Sequence, residues 1–181
     1  MDLDVISEAT ALTRIESGKL IYAPAKPTLI VPKLIIPAQS YLVSLVKDHP
    51  ESLFDITPRQ FEELIAELFH DFGFDIELTQ ATRDGDRDIV AIYEAANIKT
   101  KYLIECKRYK STTKVSLAIV QRLYGVKMSE AANKAILVTT SSFSKPANQF
   151  ASSHVWDLDL KGYDDIIQWV DDYNSTRKPF I

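Results

Sequence analysis

The chain is poor in cysteine, histidine and glycine, and each shortage closes a class of function. Cys106 is the only cysteine among 181 residues, so no intrachain disulfide can form. A lone cysteine fits a reducing compartment, and the cytoplasm is the expected location. Histidine is limited to His49, His70 and His154, with no spacing that would pair one with Cys106 as a base and no zinc-like cluster. Cys106 is therefore read as a small buried hydrophobe. The five glycines form neither a phosphate-cradling loop nor a G-x-S-x-G elbow. Long apolar runs are missing too. The most apolar stretch, 28-TLIVPKLIIP-37, is short and is broken by Pro32 and Lys33, so it cannot cross a bilayer. The first residues are acidic and lack the apolar core of a signal peptide. No membrane association is expected.

What is present is ordinary in amount and uneven in placement. Hydrophobic residues make up 46% and charged residues 25%, as in soluble globular proteins. The net charge is −4, which argues against a generally basic nucleic-acid binder. Yet Lys99, Lys101, Lys107, Arg108, Lys110 and Lys114 crowd one window whose only acid is Glu105. Such a window is either a phosphate-binding footprint or a solvated surface loop beside a strand.

Five of the eight prolines lie within the first fifty residues (Pro24, Pro27, Pro32, Pro37, Pro50). This spacing forbids long helices, so residues 1–50 are read as an N-terminal arm and 51–181 as the main domain. Within the arm, 40–48 suits a short helix. From Thr57, an N-cap followed by Pro58, the pattern becomes regular. Phe61, Leu64, Ile65, Leu68, Phe69 and Phe72 share one helical face, and Gly73 closes that helix. Strands are expected at 74–79, 88–93, 102–109, 135–140 and 155–160. Residues 82–87 read as a polar turn and 94–101 as a polar connection. Helices are expected at 115–131, 144–152 and 163–173, the first with Val115, Ala118, Ile119, Leu123 and Val126 on its inner side. The order α-β-β-β-α-β-α-β-α describes an α/β fold with a mixed central sheet flanked by helices.

Within the apolar strand 102-YLIECKRY-109 sit Glu105 and Lys107. Residues two apart on a strand point the same way, so both charges lie on one side. Buried charges are costly unless paired. Asp88, at the start of a neighbouring strand, precedes Glu105 by seventeen residues. Two carboxylates at one sheet edge suit a hard divalent cation, and a nearby lysine can orient or deprotonate water and steady a phosphate. The plainer alternative is an ion pair on an exposed edge strand, with Asp88 ending a turn. The series Asp84, Asp86, Asp88 opens like a calcium loop, but Ile89 and Ala95 stand where that loop needs Gly and Glu. On the first helix, Glu62 lies roughly 80° from the centre of the apolar stripe, at its margin, while Glu63 faces away.

Taken together, 57-TPRQFEELIAELFHDFGFDIELTQATRDGDRDIVA-91, 102-YLIECKRY-109, 120-VQRLYGV-126 and 137-LVTTSSFSKPANQFA-151 resemble the Mrr-like restriction endonuclease domain, a branch of the PD-(D/E)xK nuclease superfamily. The resemblance covers about residues 50–160. It implies the restriction-endonuclease-like fold and hydrolysis of DNA phosphodiester bonds with Mg²⁺, for which Mn²⁺ can substitute. By that resemblance Asp88, Glu105, the Cys106 backbone carbonyl and Glu62 are metal ligands. Lys107 acts on the attacking water, and Gln121 matches a polar position of the following helix. Arg83, Arg87, Lys101, Arg108, Lys110 and Lys114 are candidates for gripping the DNA backbone. The turn Asp84-Gly85-Asp86-Arg87 departs from the commoner two-glycine form, and Glu105 replaces the Gln of many Mrr-like members.

The expected function is therefore a metal-dependent endonuclease in restriction or defence. The alternatives are a structure-selective nuclease of DNA repair or recombination, or a DNA-binding module with little activity. Cutting both strands needs two sites near one duplex, which makes a homodimer the expected assembly, with the arm as its candidate contact.

Overall fold

The computed structural model describes residues 12–16, 19–22, 37–79 and 87–173. The turn at 82–86 and the apolar stretch 28–36 lie outside the described residues. The chain divides into two units, Met1–Ile35 and Ile36–Ile181. In the first, strands β1 (Leu12–Glu16) and β2 (Lys19–Tyr22) form an antiparallel hairpin. The second carries the rest. Helix α1 (Pro37–Asp48), grouped with the arm in the sequence, belongs to this second unit, because Leu42, Val43 and Val46 are buried in its core.

Helix α2 (Pro58–Asp71) starts where local chemistry dictates. The Thr57 hydroxyl accepts from the Gln60 amide at 3.2 Å, and the Gln60 side chain accepts from the Thr57 amide at 2.8 Å. This reciprocal cap satisfies two otherwise orphaned donors, and Pro58 occupies a position that needs none. Gly73, at φ +93°, reverses the chain beyond the helix. Phe61, Leu64, Ile65, Leu68 and Phe69 are buried, as the periodicity predicts.

The sheet is β3 (Asp75–Leu78), β4 (Ile89–Ala95), β5 (Ile98–Lys107), β6 (Lys134–Thr139) and β7 (Leu158–Lys161), in that spatial order. The pairs β3–β4 and β4–β5 are antiparallel; β5–β6 and β6–β7 are parallel. The parallel pairs are joined across the sheet through α3 (Leu117–Ser129) and α4 (Lys145–Ser152), and α5 (Tyr163–Asp172) closes the chain order. Strand β6 shows why this sheet is buried on both faces. Ile136 and Val138 join α1, α2 and α5 on one side, while Ala135 and Leu137 join Val120, Leu123 and Ala147 of α3 and α4 on the other. A continuous apolar run is what such a strand requires. No helix among the described residues is long and apolar enough to cross a membrane.

Three expectations are corrected. The polar connection at 94–101 is instead the end of a hairpin. β4 runs to Ala95, β5 begins at Ile98, and Ala96 (φ +51°) and Asn97 (φ +61°) make the turn. Two successive left-handed residues match the twist of a hairpin, and asparagine tolerates that conformation. The strand ends are polar because the ladder extends past the core, where Lys99 pairs with Glu94 at 3.4 Å. On α3 the inner face is Val120, Leu123 and Lys127, while Ala118 is exposed. Lys127 buries its aliphatic stem and places its ammonium against Asp157. Finally, residues 153–157 turn before β7, with the Asp157 and Leu158 amides both donating to the His154 carbonyl at 2.9 Å. Trp156, in that turn, is 88% exposed.

The core expectation is direct. Phe61 is fully buried against the sheet. Phe61→Ala is expected to lower unfolding free energy by about 3–5 kcal/mol, measured by urea titration.

Candidate active site

The site lies where the start of β4 meets the end of β5. Asp88 is held there twice over. Its amide donates to the Ile104 carbonyl at 2.9 Å, and its Oδ2 accepts from the Cys106 amide at 2.7 Å. Its own carbonyl accepts from the Thr79 amide and hydroxyl. The carboxylate is thus locked to the backbone of the strand that carries Glu105.

Ile104 and Cys106 point into the core shared with α2, so Glu105 between them points to the opposite side, toward α3. It is only 1% exposed. One oxygen, Oε1, accepts from Lys107 Nζ at 2.6 Å and from Arg122 Nη2 at 3.1 Å. The other, Oε2, is buried and has no hydrogen-bond partner among the described residues. Lys107 lies on the same side of β5, as the two-residue spacing predicts.

The electrostatics follow from this packing. Burial raises the Glu105 carboxyl above its ordinary range, against the pull of Lys107 and Arg122. Burial works in the opposite sense on Lys107. There the hydrogen bond and charge of Glu105, with the charge of Asp88, outweigh it and raise the ammonium. The two partners therefore move in the same direction, because desolvation dominates on the deeper carboxylate and pairing dominates on the partly exposed lysine. The consequence is that Lys107 is a protonated donor at neutral pH. Glu62 is also raised, by burial and then by the charge of Asp88, despite its pairing with Arg59 at 3.0 Å. The charge of Asp88 acts on both Glu62 and Lys107. The Cys106 thiol is pushed well up, by burial and by Asp88 and Glu62. Its part in the site is its backbone.

Glu62, Asp88, Glu105, Cys106 and Lys107 are thus gathered in one region. Among the described residues no three Asp, Glu, His or Cys side chains close on a common point as a metal cage. Magnesium does not need one, since it keeps several waters and is held through one or two carboxylates and substrate phosphates. The donors here are hard oxygens, and the partnerless Glu105 Oε2 is the atom a cation would satisfy. The residues fit such an ion.

Gln121 is exposed on α3. The residue after it, Arg122, touches Glu105 and was not singled out by any motif. A buried carboxylate with a single lysine nearby was the available hint that a second cation would be needed. The basic residues separate into two groups. Arg87 and Lys101 both pair with Glu130 on the α3 side, and Arg108 donates to the Phe54 carbonyl at 2.7 Å. Lys110 and Lys114 are exposed. Arg83 lies outside the described residues.

A mixed five-stranded sheet between helices, with an acidic pair and a lysine at the β4–β5 junction, defines the restriction-endonuclease class of fold. The solved structure of the DNA modification-dependent restriction endonuclease AspBHI matches it with a TM-score of 0.56 at 21% identity, over 90% of this chain and 43% of that one. Residues 53–170 match the Mrr_cat family, described as restriction endonuclease, and the chain belongs to that family. The motif resemblance is thereby upheld. Among curated proteins, the chain is 29% identical over 108 residues to the uncharacterized protein y4cE of Sinorhizobium fredii, covering 60% of this chain and 28% of that protein. It is 28% identical over 108 residues to the type IV methyl-directed restriction enzyme EcoKMrr of Escherichia coli, covering 57% of this chain and 34% of that enzyme. The matched stretch spans about a third of the length of these relatives.

Removing the lysine tests the coupling. In Lys107→Met the buried carboxylate keeps only Arg122. Its folded-state pKa rises further above the unfolded value, so the variant's stability deficit should be largest near pH 7–8. It should shrink as pH falls through the Glu105 pKa and the carboxyl becomes neutral. The neutral-pH deficit is expected to be on the order of 1–3 kcal/mol, read from urea titrations across pH.

Proposed function

We propose that this chain carries a metal-dependent endonuclease site that hydrolyses DNA phosphodiester bonds, with Mg²⁺ as its ion and Mn²⁺ as a substitute. The observation that carries the proposal is Glu105: a buried carboxylate with one oxygen clamped by Lys107 and Arg122 and the other without a partner among the described residues, beside Asp88. As a purely structural ion pair, that second oxygen would be an uncompensated cost.

Asp88, Glu105 through Oε2, the Cys106 carbonyl and Glu62 are the residues that would hold the ion. When bound, a divalent cation supplies Lewis acidity to a phosphate oxygen and acidifies a water. The protein's own groups do the rest. Asp88, fixed by the Cys106 amide, keeps its carboxylate in place without reorganisation. Glu105 keeps Lys107 protonated, which suits the ammonium to donate to the attacking water or to a phosphate oxygen, not to act as the initial base. In this reading Glu62, paired with Arg59 and raised by burial and the charge of Asp88, is the group that accepts a proton from that water. In-line attack would break the bond to the 3′ oxygen and leave a 5′ phosphate. Cleavage of both strands would take a homodimer, and the role that fits is restriction of foreign DNA.

The test is cleavage of supercoiled and linear plasmid in Mg²⁺, Mn²⁺ or EDTA. Wild-type protein should nick or linearise the plasmid only with metal. The Asp88→Ala/Lys107→Ala protein should lose at least about 10²-fold in rate. A folded wild-type protein inert in both metals, on plain, branched and methylated substrates, would remove the nuclease reading.

A further inference from the structure

Of the cations nominated by sequence, Arg87 and Lys101 pair with Glu130 and Arg108 donates to the Phe54 carbonyl, while Lys110 and Lys114 are exposed. A nuclease needs phosphate contacts to seat its substrate, and exposed lysines are the side chains open to supply them.

The segment after β5 shows where. Val115 bridges Phe143 in parallel: its amide donates to the Ser142 carbonyl and its carbonyl accepts from the Ser144 amide, both at 2.9 Å. This zips the stretch carrying Lys114 to the loop that opens α4, which begins at Lys145. The two lysines, both exposed, then line one open cavity of about 640 Å³ with Asn148, Gln149, Ser152 and Ser153. Among the described residues, no carboxylate lines it. Phe143 and Asn148 also line a second cavity of about 570 Å³ at the carboxyl ends of β6 and β7, walled by Thr140, Ser141 and Ser142. Thr140 leads back to the site. Its amide donates to the Lys107 carbonyl at 3.3 Å, and its hydroxyl donates to the Tyr109 carbonyl at 2.7 Å. At the far side, Asp164 and Asp165 line the second cavity and repel phosphate. Charge therefore favours the α4 end of this groove.

We infer that the groove between the 110–115 segment and α4 seats the sugar–phosphate backbone of duplex DNA flanking the bond to be cut. Lys114 and Lys145 contact phosphates, and the Asn148 and Gln149 amides contact phosphate or sugar oxygens. Lys145 was not among the cations that the sequence nominated for DNA. The inference rests on the nuclease reading only for the identity of the substrate. The groove itself is defined by its charge and shape.

The experiment measures binding of a fluorescein-labelled duplex of mixed sequence to the full chain in EDTA, by anisotropy over a range of salt. Lys114→Ala/Lys145→Ala should weaken binding on the order of tenfold and reduce the slope of log K against log salt by about 1.8, the loss of two phosphate contacts. Lys114→Arg/Lys145→Arg should restore the wild-type slope. Lys47→Ala/Lys99→Ala, which removes the same charge from other elements, should leave the slope unchanged. An unaltered slope in the first variant, an equal loss in the Lys47/Lys99 variant, or no duplex binding by the wild type would overturn the groove. Because no cleavage is read, groove-dependent binding by a protein that never cuts would leave this inference standing and remove the nuclease reading. Cutting by a protein whose binding ignores Lys114 and Lys145 would do the reverse.

Discussion

A carboxylate with almost no solvent contact keeps its charge inside a protein only if fixed positive groups replace the water it has lost. Glu105 is in that position, and the site is organised around it. Lys107 reaches it from the same strand and Arg122 from the helix that follows, and both meet the same oxygen. Their convergence ties β5 to α3 and holds Lys107 protonated. The second oxygen is buried too and has no hydrogen-bond partner among the described residues. A fold optimised for stability alone would place a hydrophobic side chain there, as Ile104 and Cys106 are placed on the other face. The retained charge is what the proposed chemistry would use.

The same logic sorts the remaining charges. Asp88 has its orientation set by a backbone amide, a rigid partner that does not move with solvent. Glu62 stands in the first turns of a helix whose start is fixed by its cap at Thr57. The basic residues nearest the site in sequence are drawn into structural pairs with Glu130 and the Phe54 carbonyl. The exposed lysines beyond β5 and at α4 form a separate surface. Positive charge thus has two placements in one region: some of it holds the acidic residues and their supporting elements, and some of it faces solvent.

Much of the frame was legible because its signals are local. The cap at Thr57 and Gln60, the apolar face of α2 and the doubly buried run of β6 each follow from residues within a few positions of one another. Other features were not. Ala96-Asn97 lacks the glycine that usually announces a tight hairpin, so the turn was hidden in a polar stretch. The inner face of α3 includes Lys127, whose burial depends on Asp157 thirty residues away. Arg122 was overlooked beside Gln121 because only the packing of α3 on the sheet decides which of two adjacent polar residues reaches Glu105.

The sequence by itself determined the order of elements, the family, and the alignment of Glu105 and Lys107 on one side of a strand. Each of these depends on spacing along the chain or on motif identity. Only the tertiary structure decided that Asp88 is bound to the Cys106 amide, that Arg122 completes the clamp, and that Lys114 and Lys145 share a groove. Those are contacts between segments brought together by sheet pairing and helix packing, and their geometry comes from the fold as a whole, not from the spacing within any one segment.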